Sequence, residues 1–314
     1  MKFYTSVLPH RGRLLVRGVD EDGSQKKYRI NYKPSLFVPA GKESKYKTLD
    51  GRNVSKINFD SIYETTKWIN KYKDVTNFEY FGNTRHQYPF IAEEFPGEID
   101  WDLKQIKLLS IDIECESENG FPSPDKADEP LICITVKDHT SKKIIVFGMG
   151  NFVNDREDVQ YINCVTETGL VETFTRFWVE YNPNIITGWN VKFFDIPYLM
   201  NRFRYLMGDE WILQYSPWGV VEQRSTRGYN KQENFYDILG VDVLDYLDLY
   251  RKHTFVRRES YKLDYVGEVE LGENKNENPY DTFKEFYQND YQKFVEYNIQ
   301  DVELVDKLED KMQL

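Results

Sequence analysis

Apolar and polar positions change their rhythm along the chain. In the first third they alternate in short runs. Residues 13–17 (Arg-Leu-Leu-Val-Arg) read as a strand, residues 20–24 (Asp-Glu-Asp-Gly-Ser) as a turn, and residues 27–32 as the hairpin partner. Residues 61–71 have helical spacing, with Asp60 as the expected cap. Beyond residue 105 longer strands and helices interleave. Strands are expected at 106–115, 131–137, 142–147, 184–187 and 241–244. Helices are expected at 169–180, at 196–207 with Gly208 as its stop, and at 290–312. The last repeats Tyr291, Val295, Val302, Val305 and Met312 along one side. Residues 224–231, polar and glycine-containing between Val220-Val221 and Phe235-Tyr236, read as a protruding hairpin within 221–240. Strands mixed with helices in this order predict an α/β domain over 106–314, preceded by a β-rich domain over 1–105.

Charge sharpens that boundary. Residues 1–105 carry 18 basic and 14 acidic side chains, and the remainder 23 and 38, so the net charge of -11 arises wholly in the second segment. Such a balance argues against a protein that coats duplex DNA, but not against one that handles a strand end in a local groove. The aromatic content of 16% excludes a disordered chain. Three sparse cysteines, Cys115, Cys133 and Cys164, suit reduced core thiols rather than a disulfide framework. No apolar run is long enough for a membrane span, and a reducing cytoplasm is the expected compartment.

Three short segments concentrate the candidate chemistry. In Ile111-Asp112-Ile113-Glu114-Cys115, strand alternation puts Leu109, Ile111, Ile113 and Cys115 on one face and Asp112 with Glu114 on the other. Asp195 opens a helix after Gly188-Trp189-Asn190-Val191-Lys192-Phe193-Phe194, where a plain N-cap would serve as well. Tyr297 and Asp301, four apart, share a helical face that could equally be solvated. Together they bring four carboxylates and a tyrosine from a strand, a helix start and a late helix. Hard oxygen ligands of this kind suit Mg²⁺ or Mn²⁺. Two such ions, about 4 Å apart, can activate water and stabilise the leaving oxygen of a phosphodiester.

These segments resemble the three exonuclease motifs of family B DNA polymerases: Asp112-x-Glu114, Asn190-x(3)-Phe194-Asp195 and Tyr297-x(3)-Asp301. Residues 32–37, 119–122, 187–190, 243–250 and 260–265 further resemble the T-even bacteriophage branch. The resemblance implies a ribonuclease H-like exonuclease domain behind the family's β-rich N-terminal domain, here incomplete. It implies a 3′→5′ proofreading exonuclease with two divalent cations held by Asp112, Glu114, Asp195 and Asp301. Tyr297 would orient the attacking water. Phe121, Asn190 and Phe194 would meet single-stranded DNA or a frayed primer 3′ end. Arg251, Lys252, Arg257, Arg258 and Lys262 form a basic cluster suited to tracking phosphates. His10, His86, His139 and His253 lack ligand spacing and are expected to be structural or exposed. The family's palm, fingers and thumb are missing, and the chain stops inside a helical pattern. The remainder of the polymerase is therefore an implied partner, and the cytoplasm of an infected bacterial host the implied setting. Two other readings stay open: an RNA-binding regulator acting through Arg11, Arg13, Arg17, Lys26, Lys27 and Arg29, and a structural part of a split polymerase.

Overall fold

The computed structural model describes all residues except 119, 228–231 and 274–277. It divides into two compact units, Met1–Gln105 and Ile106–Leu314.

In the first unit β1 (Phe3–His10), β2 (Arg13–Val19) and β3 (Gln25–Ile30) form an antiparallel sheet with β2 central. Arg11 and Gly12, both at positive φ, make the tight turn between β1 and β2. A second sheet holds β4 (Ser35–Pro39), β5 (Tyr46–Lys47) and β6 (Asn53–Asn58), with β6 central. Two helices follow, α1 (Ile62–Tyr72) and α2 (Gln87–Glu94). Leu14, Val16, Tyr32, Ile62 and Phe90 make the core. Two expectations need correction. Ser61, not Asp60, caps α1: its Oγ accepts from Glu64 N at 3.1 Å, while Asp60 N donates back to the Glu64 carboxylate. Arg17 is 2% exposed because β2 is the central strand, so it cannot join a basic RNA-facing surface.

The second unit is built on six strands: β7 (Leu108–Cys115), β8 (Leu131–Asp138), β9 (Ile144–Gly148), β10 (Val159–Asn163), β11 (Ile185–Gly188) and, after the hairpin β12 (Val221–Arg227) and β13 (Gln232–Ile238), β14 (Asp242–Asp245). Their order is β10-β9-β8-β7-β11-β14, antiparallel at β7–β8 and β8–β9 and parallel elsewhere. Helices flank this mixed sheet: α3 (Glu167–Tyr181), α4 (Asp195–Met207), α5 (Tyr246–His253), α6 (Leu263–Leu271), α7 (Phe283–Asn289) and α8 (Tyr291–Met312). The architecture agrees with the ribonuclease H-like domain that the resemblance implies. The expected hairpin is present in its arms, while its tip, including Lys231, lies outside the described residues, as does Asn119.

The sheet buries both faces. Leu109, Ile111, Ile113, Ile134 and Val136 pack with Phe174, Trp178, Leu199 and Phe203 of α3 and α4. On the other side Cys133, Ile144 and Val146 meet Phe286, Phe294, Val295 and Ile299 of α7 and α8. Tyr246, Tyr250, Leu263 and Val266 of α5 and α6 hold the far end of α8 through Leu304, Val305 and Leu308. That end also carries an ionic anchor. Asp306, 6% exposed, receives Lys137 Nζ and Lys142 Nζ, each at 2.8 Å, and His139 Nδ1 at 3.3 Å. The helix does find a stop: Gln313, in the left-handed conformation, donates its N–H to Glu309 O. β11 lies so close to β7 that a Cβ on Gly188 would stand 2.5 Å from Ile111 O.

Candidate metal centre

Strand parity places the first two carboxylates. Leu109, Ile111, Ile113 and Cys115 are all at most 4% exposed, and Asp112 and Glu114 emerge half-buried on the opposite face. α8 crosses that face and brings Tyr297, Asn298 and Asp301 onto it. Oxygens of Asp112, Glu114 and Asp301 then lie within 4.8 Å of one another, as one group among the described residues able to hold a metal ion. Three carboxylates at this spacing repel one another, and a divalent cation relieves that repulsion with the hard oxygen ligands it prefers. The donor set thus fits Mg²⁺ or Mn²⁺.

Asp195 stands apart from this trio. It is the first residue of α4 and 3% exposed, yet it does not cap the helix; Phe194 occupies the N-cap position. Its Oδ1 instead accepts from Ile113 N at 3.2 Å, tying α4 to β7 between the two strand carboxylates. Burial pushes its pKa up to about 8, against the pull of backbone donors and with added repulsion from Asp245 and Asp301.

Two buried polar residues escaped the sequence reading. Asp245, 5% exposed, caps α5 through Leu247 N at 3.0 Å and pins Lys192 N at 2.9 Å, which fixes the loop before Asp195. Burial raises its pKa as well. An Asp just ahead of the helical run at 246–250 was the available signal. Asn298, fully buried, donates to Asp112 Oδ2. Its place between Tyr297 and Asp301 was the sole hint.

Beside Glu114 opens a cleft of about 480 Å³, lined by Glu114 with Phe121, Pro122, Phe194, Phe283 and Tyr297 among others. Phe121 is 87% exposed at its mouth, with its ring 5.2 Å from that of Phe194. Tyr297 is held edge-on by Phe286 at 5.8 Å. Asn190 takes a left-handed turn (φ 62°), and its carbonyl accepts from Phe193 N and Phe194 N. The basic residues divide. Arg258, partly exposed, pairs with Glu270 at 2.5 Å and donates to Tyr250 Oη at 2.8 Å. Arg251 lies over the Tyr261 ring at 4.8 Å, and Lys252, Arg257 and Lys262 are exposed. All three cysteines are free and buried. No helix among the described residues is long and apolar enough to cross a membrane.

Comparison with known proteins gives this arrangement a lineage. The chain is 28% identical to the DNA-directed DNA polymerase of Enterobacteria phage T4 over 98% of its own length and 37% of that protein's. With the DNA-directed DNA polymerase of Escherichia phage RB69 it is 28% identical over 99% and 37%. With the DNA polymerase delta catalytic subunit of Caenorhabditis elegans it is 27% identical over 71% and 21%. The chain thus spans little more than a third of the phage relatives. Residues 56–266 match the family described as DNA polymerase family B, exonuclease domain, and the chain belongs to that family.

Proposed function

We propose that this chain is the 3′→5′ proofreading exonuclease portion of a replicative phage DNA polymerase, acting in the cytoplasm of an infected bacterium beside the rest of that polymerase. The observation that carries the reading is the trio Asp112, Glu114 and Asp301, assembled from β7 and α8, with Glu114 also lining a cleft rich in aromatic rings. The second unit carries the chemistry, and the first is the family's β-rich domain.

Asp112, Glu114 and Asp301 would hold two divalent cations, Mg²⁺ or Mn²⁺, with Asp195 as an outer member of the set. Bound ions supply a water deprotonated near neutral pH and neutralise charge on the departing oxygen. The chain's own residues do the positioning. Phe121 and Phe194 offer ring faces to the terminal base, a contact that tolerates any sequence. Asn190 reaches the same strand end, and the Tyr297 hydroxyl orients the attacking water. Arg251, Lys252, Arg257 and Lys262 would draw the phosphates in. An unpaired 3′ end enters such a cleft without the cost of unstacking a duplex, which favours mispaired primers.

Digestion of a labelled single-stranded oligonucleotide in Mg²⁺ tests this. Wild type should release nucleoside monophosphates stepwise from the 3′ end. The Asp112→Ala, Glu114→Ala double variant should be slower by about a hundredfold or more, as for other losses of transition-state charge stabilisation. Equal rates would end the proposal.

A further inference from the structure

The face of β7 and β8 that bears the carboxylates bears two further polar side chains. Register sets Thr135 opposite Asp112 and Cys133 opposite Glu114. Asn298 descends onto these pairs from α8, and Asn298, Thr135 and Cys133 are all 0% exposed. A buried primary amide left unsatisfied is costly, so its partners fix its orientation. A carboxylate only accepts, so Asp112 Oδ2 takes a hydrogen from Asn298 Nδ2. The Thr135 hydroxyl and the Cys133 thiol, the latter at 3.4 Å, both donate to Asn298 Oδ1. The donor chain therefore runs one way, from β8 through α8 to β7, and ends on Asp112.

We infer that Asn298, backed by Thr135, is a positioning residue that holds the Asp112 carboxylate in one orientation for the cation it would ligate. The inference rests on the metal-binding reading given above. A carboxylate turning freely can offer a cation one oxygen or both. A hydrogen bond donated by the amide to Oδ2 selects one orientation. Because the amide is neutral, it does so without cancelling the charge that attracts the ion, as a lysine would. Partners standing one step behind a metal ligand are typically worth about 10- to 100-fold in metal affinity. If Asn298 merely cemented α8 to the sheet, stability would respond to its loss but cation affinity would not.

The test is titration of the full 314-residue chain with Mn²⁺, reading free ion by electron paramagnetic resonance, with thermal melts alongside. Asn298→Ala should weaken Mn²⁺ binding about 10- to 100-fold. Thr135→Val, equal in size but lacking the hydroxyl, should weaken it by a smaller factor, and Thr135→Ser should restore it. The hydrolysis rate of Asn298→Ala should recover at saturating Mn²⁺, so that the defect resides in cation affinity. Wild-type affinity in both Asn298→Ala and Thr135→Val would overturn the inference. Should Asn298→Ala not fold, the Thr135→Val and Thr135→Ser pair decides alone. Asp112→Asn separates the two levels. Affinity lost there but kept in Asn298→Ala refutes the positioning role and spares the metal reading. No Mn²⁺ binding by wild type refutes both.

Discussion

Asp301 and Asp306 lie five residues apart on α8, and each is 6% exposed, yet the helix delivers them to opposite surroundings. Asp306 meets Lys137, His139 and Lys142. Asp301 meets Asp112 and Glu114. Burying a carboxylate is costly unless opposite charge and hydrogen bonds match it. At Asp306 the match comes from β8 and the turn beyond it. Burial alone would raise the Asp306 pKa, but hydrogen bonds from His139, Lys137 and Lys142 hold it well below the usual carboxylate range. At Asp301 the neighbouring acids add to the charge. The same side chain on the same helix thus serves as mortar in one place and fits a cation ligand in the other.

The largest test of this contrast is stability. Asp306→Asn should cost about 3–5 kcal/mol in urea unfolding, because Lys137, only 11% exposed, keeps its charge without a counter-ion. Asp301→Asn, measured without divalent cations, should cost nothing or stabilise slightly by easing repulsion. A loss as large as that of Asp306→Asn would erase the distinction. Next in size is the response to cation. Saturation with Mn²⁺ at about a hundred times its dissociation constant should add about 2.7 kcal/mol to wild type and to Asp306→Asn, read as a rise in melting temperature. Asp301→Asn should lose most of that rise.

The smallest effects are slopes with pH, at most about 1.4 kcal/mol per unit for one group. They should have opposite signs. The depressed pKa of Asp306 gives stability that is present above the unfolded value of about 3.9 and lost as pH falls toward the folded one. The raised pKa of Asp195 gives stability that is full below about 3.9 and lost as pH rises through about 8. In EDTA, Asp306→Asn should therefore flatten the acid limb of a melting-temperature profile, and Asp195→Asn the decline from pH 5 to 8. Unchanged profiles would mean these carboxylates titrate alike in folded and unfolded chains.

What the sequence disclosed was local periodicity. Parity along β7 separated Leu109, Ile111, Ile113 and Cys115 from Asp112 and Glu114, since neighbours in a strand face opposite ways whatever the fold. Helical spacing likewise joined Tyr297 to Asp301. Local periodicity was silent where a distant partner decides the outcome. At Asp195 the sequence allowed a plain N-cap as well as a site carboxylate, and the bond from Ile113 N, 82 residues away, is not visible in local spacing. Asn298 gains its meaning from Asp112, 186 residues away. The bonds of Arg258 to Glu270 and Tyr250 are likewise not visible in its basic, loop-like surroundings. The helices α5, α6 and α7 span 7 to 9 residues each, too short to stand on their own propensity, and they owe their existence to packing.

Gly188 draws a consequence from the closeness of β11 and β7. The one hydrogen it presents toward Ile111 O fills a gap that no methyl group could enter. β11 leads into the loop that delivers Asn190 and Asp195, and Ile111 precedes Asp112. The spacing of two acid-bearing segments is thus set by missing matter, a tolerance no rearrangement of neighbouring side chains can loosen. This unreactive position leaves a redesigner little freedom.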